Sequence, residues 1–230
     1  MALTFHSFKF LQKMQNEMKS MGNVLSIGRM NNLILKDDYQ KLSLKKYDDI
    51  YAEKILLENF FVNSVESLDY SDFEGANIIH DLNLPIVKFK KEFDTILDFG
   101  TSEHVFNIIQ SFKNISQLCK INGHIIHCLP ANNNCGHGFW QFSPELFLNL
   151  YQKKNGFDNT IIYLVNLHDK ENWYEINKQN LGERLELNSS EPLYLFVKTK
   201  KIGETFFNNI YQSDYEFHWK TNHDQLRNNK

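Results

Sequence analysis

The chain has 230 residues, 42% of them hydrophobic and 14% aromatic, with four prolines. That composition suits one medium-sized domain with its own core and excludes collagen-like, coiled-coil and disordered classes. The formal charge of −3, from 25 basic and 28 acidic side chains, supplies no net basic field to gather phosphate backbones, so no nucleic-acid partner is expected.

Near the amino end Phe5, Phe8, Phe10 and Leu11 are interrupted by Lys9, Lys13, Glu17 and Lys19, which breaks any apolar run long enough for a signal peptide. No later stretch approaches the roughly 20 apolar residues of a membrane span, so no membrane partner is expected. The three cysteines, Cys119, Cys128 and Cys135, are odd in number and too few for a disulfide framework, as in a reducing compartment. The expectation is a cytoplasmic protein.

In chain order, residues 1–22 carry Leu11, Met14, Met18 and Met21 at helical spacing, with Gly22 and Asn23 as the stop; this predicts an amphipathic helix packed on the domain. Short runs rich in β-branched and aromatic residues follow at 24–27, 65–68, 76–79, 93–99, 124–129, 160–167 and 193–197, and they read as seven strands. Between them, helices are expected over 51–61 (Ile55, Leu56, Phe60), 105–118 (Phe106, Ile109, Phe112, Ile115) and 144–154 (Leu146, Phe147, Leu150). Strands alternating with helices imply an α/β fold with a mostly parallel sheet covered on both faces.

The third helix has a start signal: Ser143 as cap, Pro144 at the first helical position and Glu145 at the positive end of the dipole. Residues 130–142 are therefore a loop leaving the carboxyl end of a central strand, where open α/β sheets bind ligands. After the last strand, Lys198, Lys200 and Lys201 read as solvated loop charge. Residues 202–230, with Phe206, Phe207, Tyr211, Tyr215, Phe217 and Trp219, form a tail expected to fold back on the body at 23–201.

The stretch from Ile78 reads IIHDLNLPIVKFKKEFDTILDFGTSEHVFN, and after a helix comes LCKINGHIIHCLPA. Asp81 ends a strand, Leu84 and Pro85 make a turn, Phe93 and Asp94 open the fourth strand, Glu103, His104 and Val105 start a helix, and Asn122 and Gly123 turn into the fifth strand. In this order the chain resembles class I S-adenosylmethionine-dependent methyltransferases. The loop GHGFWQFSPELF, residues 136–147, resembles a signature of a smaller bacterial group of methyltransferase-like proteins. The resemblance implies a Rossmann-like class I methyltransferase sandwich with a seven-stranded sheet in the order 3-2-1-4-5-7-6, the seventh strand antiparallel.

S-adenosylmethionine is the cofactor the resemblance implies. A nucleoside diol needs a carboxylate at the end of the second strand, and Asp69 stands there; the family's adenine contact falls on Asp81 and Leu82. After the first strand the family places glycines so that backbone can approach the cofactor. This chain has SIGRMNN, with Gly28 as its one glycine and Arg29 in position to pair with the cofactor carboxylate. Asp98, Gly100 and Thr101 border the same crevice. The link at 70–75 is too short for a crossover helix, and the first crossover is long enough for a helix and a cover.

Methyl transfer is an in-line displacement in which the enzyme positions the acceptor and, where that acceptor carries a proton, supplies a base. His137, set between two glycines, and His104 are the candidate bases, each with a structural role in turn or helix capping as the alternative. Asn133, Trp140 and Gln141 are candidates for the wall of a small-molecule or sugar-type acceptor site. Cys128, Cys135 and His137 lack metal-ligand spacing, so no metal site is expected. Phosphate-loop and nucleophile-elbow motifs are lacking.

Two readings stay open. One is a methyltransferase with a cleft running from Gly28 and Asp69 to His137. The other is a non-catalytic binding or scaffold protein whose cleft is filled by Met30 or Arg29, with room for a protein partner or homo-oligomer.

Overall fold

The computed structural model describes residues 1–87, 91–177, 183–208 and 210–228. After strand β1 (Ala2–Leu3), helix α1 runs Phe5–Met18. Thr4 starts it with a reciprocal cap, the Thr4 amide donating to Ser7 Oγ at 2.8 Å and the Ser7 amide to Thr4 Oγ1 at 3.4 Å. The helix stops earlier than its apolar spacing predicts. Lys19 takes a left-handed φ of 62°, and Met21 is buried ahead of the next strand instead of extending the helix.

Strand β2 (Gly22–Ile27) leads into a long crossover holding β3 (Asn31–Asn32), α2 (Lys36–Lys41) and α3 (Glu53–Asn59). β3 pairs in parallel with β1 in a separate two-stranded sheet. Next come β4 (Val62–Asp69), β5 (Ile78–Ile79) and β6 (Phe93–Asp98), with no helix between β4 and β5, as the short link predicts. α4 (Ile108–Leu118), β7 (Cys119–Asn132), α5 (Pro144–Leu150), β8 (Phe157–Asn166), β9 (Trp173–Glu175), β10 (Leu193–Lys201) and α6 (Ser213–Asn228) complete the order.

The main sheet has eight strands in the order β5-β4-β2-β6-β7-β10-β8-β9. Its seven expected strands, numbered in chain order, lie 3-2-1-4-5-7-6, and β10 runs antiparallel to both neighbours. The expected count of seven is corrected by β9, a three-residue strand that closes the edge antiparallel to β8; Trp173–Glu175 is too short to show periodicity.

Two layers of core follow from strand alternation. Val24, Leu97, Ile126 and Phe196 face α1 and α3, while Leu25, Ile96, Ile125 and Leu195 face α4 and α5. Each fully buried side chain of this size contributes roughly 1.5–3 kcal/mol of transfer free energy.

Three further boundaries differ from the sequence reading. The 130–142 loop begins late, because β7 continues through Pro130 to Asn132 against β10. Asn122 and Gly123 lie within β7, where the register against β6 shifts. Lys198 and Lys201 are buried in β10, not solvated: Lys201 Nζ donates to the Ser116 and Cys119 carbonyls at 2.9 and 2.7 Å, closing the end of α4, and Lys198 lies 3.2 Å from Glu17.

The tail turns back onto the α4–α5 face. Phe207 and Ile210 pack on that core, the Ser213 amide donates to Glu145 at 2.6 Å, and Arg184 pairs with Asp214 at 2.5 Å. Among the described residues no helix is long and apolar enough to cross a membrane.

Candidate active site

The carboxyl ends of β2, β4, β6 and β7 meet in one crevice. Gly28, just past β2, has φ +77°, and a Cβ there would lie 2.8 Å from Thr101 Oγ1 and 3.6 Å from Asp69 Oδ2, so only glycine fits. Thr101 ties the loop after β6 to the end of β2 by donating to the Ile27 carbonyl at 2.6 Å. Asp69 accepts the Tyr70 amide at 2.7 Å and the Arg29 amide at 3.3 Å. These bonds leave lone pairs for two more donors.

The side chain of Arg29 turns away from the crevice. It pairs with Glu53 at 2.8 Å, donates to the Glu74 carbonyl and stacks on Tyr51 at 3.8 Å. Met30 is buried in the α1–α3 core, so neither side chain fills the cleft. Met1 lies there instead: its Cε is 2.7 Å from the place of a Cβ on Gly28 and its Sδ is 3.4 Å from the Ser26 hydroxyl.

Asp81 is occupied with a turn, accepting the Asn83 amide and side chain at 2.9 and 2.8 Å, and Leu82 is buried against the α4 face. Asp98 is fully buried. One of its oxygens accepts the Thr101 and Ser102 amides and the other meets His127 Nδ1 at 2.8 Å, while His127 Nε2 meets the Tyr151 hydroxyl at 2.6 Å. Asp98 thus shapes the loop after β6 from beneath.

A second group gathers where the loop after β7 folds onto the 3-10 turn Ser102–His104. Glu103 is the centre. Its carbonyl accepts the Phe139 amide at 2.8 Å and the Trp140 amide at 3.3 Å, while the Trp140 indole donates to the Val105 carbonyl at 2.9 Å. Gly138 is needed for this approach, since a Cβ there would sit 2.8 Å from the Glu103 carbonyl oxygen. The two stretches that carry the family resemblance are therefore one structural unit.

The result places Glu103 Oε1 3.3 Å from His137 Nε2 and 3.8 Å from His104 Nε2. The Glu103 side chain is 0% exposed, against 51% for His104 and 45% for His137. Burial, reinforced by the Asp98 charge, pushes its carboxyl up to about 8, while burial and then His137 lower His104.

These three side chains line a cavity of ≈ 380 Å³ with Gly100, Tyr194 and Met1, in the size range of small-molecule sites. Its lining stops short of Gly28 and Asp69, where Met1 stands.

Asn133, Trp140 and Gln141 are placed outside this cavity. Asn133 holds the Ser189 and Glu191 carbonyls at 2.9 and 3.1 Å, and Gln141 accepts the Asn134 amide at 2.8 Å. They shape the loop that presents His137. Sequence reasoning passed over Met1, Tyr194 and the carboxyl of Glu103 as site groups; for Glu103 the signal was its place beside His104 in the quoted motif, whereas Met1 and Tyr194 carried none.

No family model matches the chain, and no curated protein matches it. Among solved structures it is similar to the N-methyltransferase NodS of Bradyrhizobium japonicum in complex with S-adenosyl-L-homocysteine: 9% identity, 86% of this chain and 87% of that one, TM-score 0.48. A possible histamine N-methyltransferase of Thermotoga maritima matches at 17% identity over 86% and 91% of the chains, with a TM-score of 0.42. TehB of Haemophilus influenzae matches at 15% identity and a TM-score of 0.43 over 84% of this chain, which spans 62% of TehB.

Proposed function

We propose that this chain transfers a methyl group from S-adenosylmethionine to a small-molecule or sugar-type acceptor held in the Glu103–His137 cavity. The observation that carries this reading is the meeting, across one crevice, of Asp69 at the end of β4 with Gly28 at the end of β2. A carboxylate to accept the hydroxyls, beside close-approaching backbone, is the arrangement a ribose diol and its substituents require. The residues fit the cofactor on condition that the Met1 side chain swings off Gly28, because the two compete for the same space.

The cofactor would supply an activated methyl on a sulfonium centre. Asp69 would accept the ribose hydroxyls, and Gly28 and Gly100 would let the backbone close on the bound molecule. The cavity walls would exclude water and orient the acceptor. His137, facing buried Glu103, would take the acceptor's proton, with His104 beside it at a ring separation of 5.5 Å.

Calorimetric titration with S-adenosylmethionine and S-adenosylhomocysteine tests the reading. Micromolar binding is expected, weakened at least about tenfold by Asp69→Ala, which is about 1.4 kcal/mol. Failure of both compounds to bind overturns it and leaves the non-catalytic scaffold.

A further inference from the structure

Glu103 poses a question that methyl transfer leaves unanswered. A carboxyl with no exposed surface has two oxygens, and neither has a geometrically formed hydrogen-bond partner; His137 Nε2 lies 3.3 Å from Oε1 without the alignment for one. Desolvating such a group without compensation is costly, and in a native site it calls for an explanation such as catalytic use, an ordered water or a bound ion.

What surrounds it points to the kind of occupant. Glu103, His104 and His137 each offer one ligand atom, and these atoms all lie within 4.8 Å of one another. Tetrahedral zinc with ligands about 2.0–2.1 Å away holds them about 3.4 Å apart, and the Glu103–His137 and Glu103–His104 separations are 3.3 and 3.8 Å. Both histidines are about half exposed, whereas Glu103 is buried, with Gly138 close against its carbonyl and Cγ and Gly100 beside Oε1. All three residues line the ≈ 380 Å³ cavity.

We infer that Glu103, His104 and His137 form a binding site for one first-row divalent cation of the zinc or iron(II) type, with its open positions directed into the cavity. Two imidazoles and one carboxylate suit such ions, and they are poor ligands for magnesium or calcium. The site stands on these three side chains alone, independently of whether the chain binds S-adenosylmethionine. Its role in catalysis does rest on the methyl-transfer reading: with a cation held there His137 would serve as a ligand in place of the base, and an acceptor hydroxyl made more acidic by the cation would release its proton to water in the cavity as its oxygen takes the methyl group and the sulfonium becomes a thioether.

The test is calorimetric and elemental, on the full chain freed of metal, with Zn²⁺, anaerobic Fe²⁺, Co²⁺ and Mg²⁺ titrated separately. Expected are one equivalent of Zn²⁺ or Fe²⁺ at micromolar affinity or tighter and visible d–d absorption on adding Co²⁺, with Mg²⁺ silent. Glu103→Gln and His137→Gln should each weaken binding at least tenfold, and Cys135→Ser, which removes an exposed thiol nearby, should leave it unchanged. Circular dichroism checks the fold of each variant; should a buried-site variant fail to fold, His104→Gln on the exposed side replaces it with the same expected loss. Absence of Zn²⁺ and Fe²⁺ binding, equal binding of Mg²⁺, or binding lost in Cys135→Ser and kept in the site variants overturns the proposal. Since no methyl donor is present, the outcome is separate from that of the cofactor titration.

Discussion

Gly138 shows how much of the site depends on one missing methyl group. The Glu103 backbone approaches it so closely that an added Cβ would meet the carbonyl oxygen at 2.8 Å and the carbonyl carbon at 3.2 Å, and backbone cannot rotate aside as a flexible side chain can. Gly138→Ala should therefore break the Phe139-to-Glu103 bond and lift His137 away from Glu103. The expected cost is roughly 1–3 kcal/mol of stability, by analogy with overpacking, with zinc affinity lowered at least tenfold. Thermal denaturation and calorimetry read both effects, and a variant that binds zinc as the parent does would detach the loop's fit from the site. The sequence showed that His137 had glycine neighbours; it did not show that one of them exists to admit Glu103, because the partner lies on another loop.

At the scale of elements, the amphipathic start of the chain does two jobs. Its buried face, including Phe8, Phe10, Leu11 and Met14, closes one side of the sheet, and the strand ahead of it carries Met1 across Gly28. The helix and the segment in the crevice are joined at Thr4, whose reciprocal bonds with Ser7 define the turn between them. Thr4→Ala should cost about 1 kcal/mol, the usual value of such a cap, measurable by urea denaturation. A change below 0.3 kcal/mol, on the same cap scale, would mean that core packing alone sets the helix start.

Strand and helix placement was largely legible in the chain because apolar alternation and capping chemistry act over a few residues. The early stop at Met18 and the edge strand Trp173–Glu175 were not, because a left-handed turn at Lys19 and pairing to a distant strand leave no local pattern.

For the molecule as a whole, pH dependence exposes buried titration. His124, on β7 between β6 and the lysines of β10, is lowered to about 4, first by burial and then by Lys198 and Lys200. A histidine depressed in the folded state contributes stability that is fully present above its unfolded value, near 6.5, and is lost as pH falls toward 4. Discounted for partial exposure, the loss is about 1–2 kcal/mol. Glu103, raised to about 8, acts with the opposite sign: its contribution is present below the ordinary carboxyl range and is lost as pH rises through 8. The parent's profile is therefore flattened where the two windows overlap, and the informative quantity is the difference between parent and His124→Asn. That variant should gain relative stability steadily from pH 6.5 down to 4, followed by thermal unfolding; parallel profiles would place His124 in contact with solvent.

The order of elements, the seven principal strands and the family-like motifs lie open in the amino-acid order, since hydrophobic period, turn residues and caps are local properties. Sheet order followed only from resemblance, and the tertiary structure bears it out by the pairing of β10 between β7 and β8. Which of the candidate residues meet was decided by folding. Glu103 and His137 meet, Arg29 leaves the crevice for Glu53, and Met1 enters it, because each depends on which backbone passes within a few ångströms of another, and spacing along the chain carries no record of that distance.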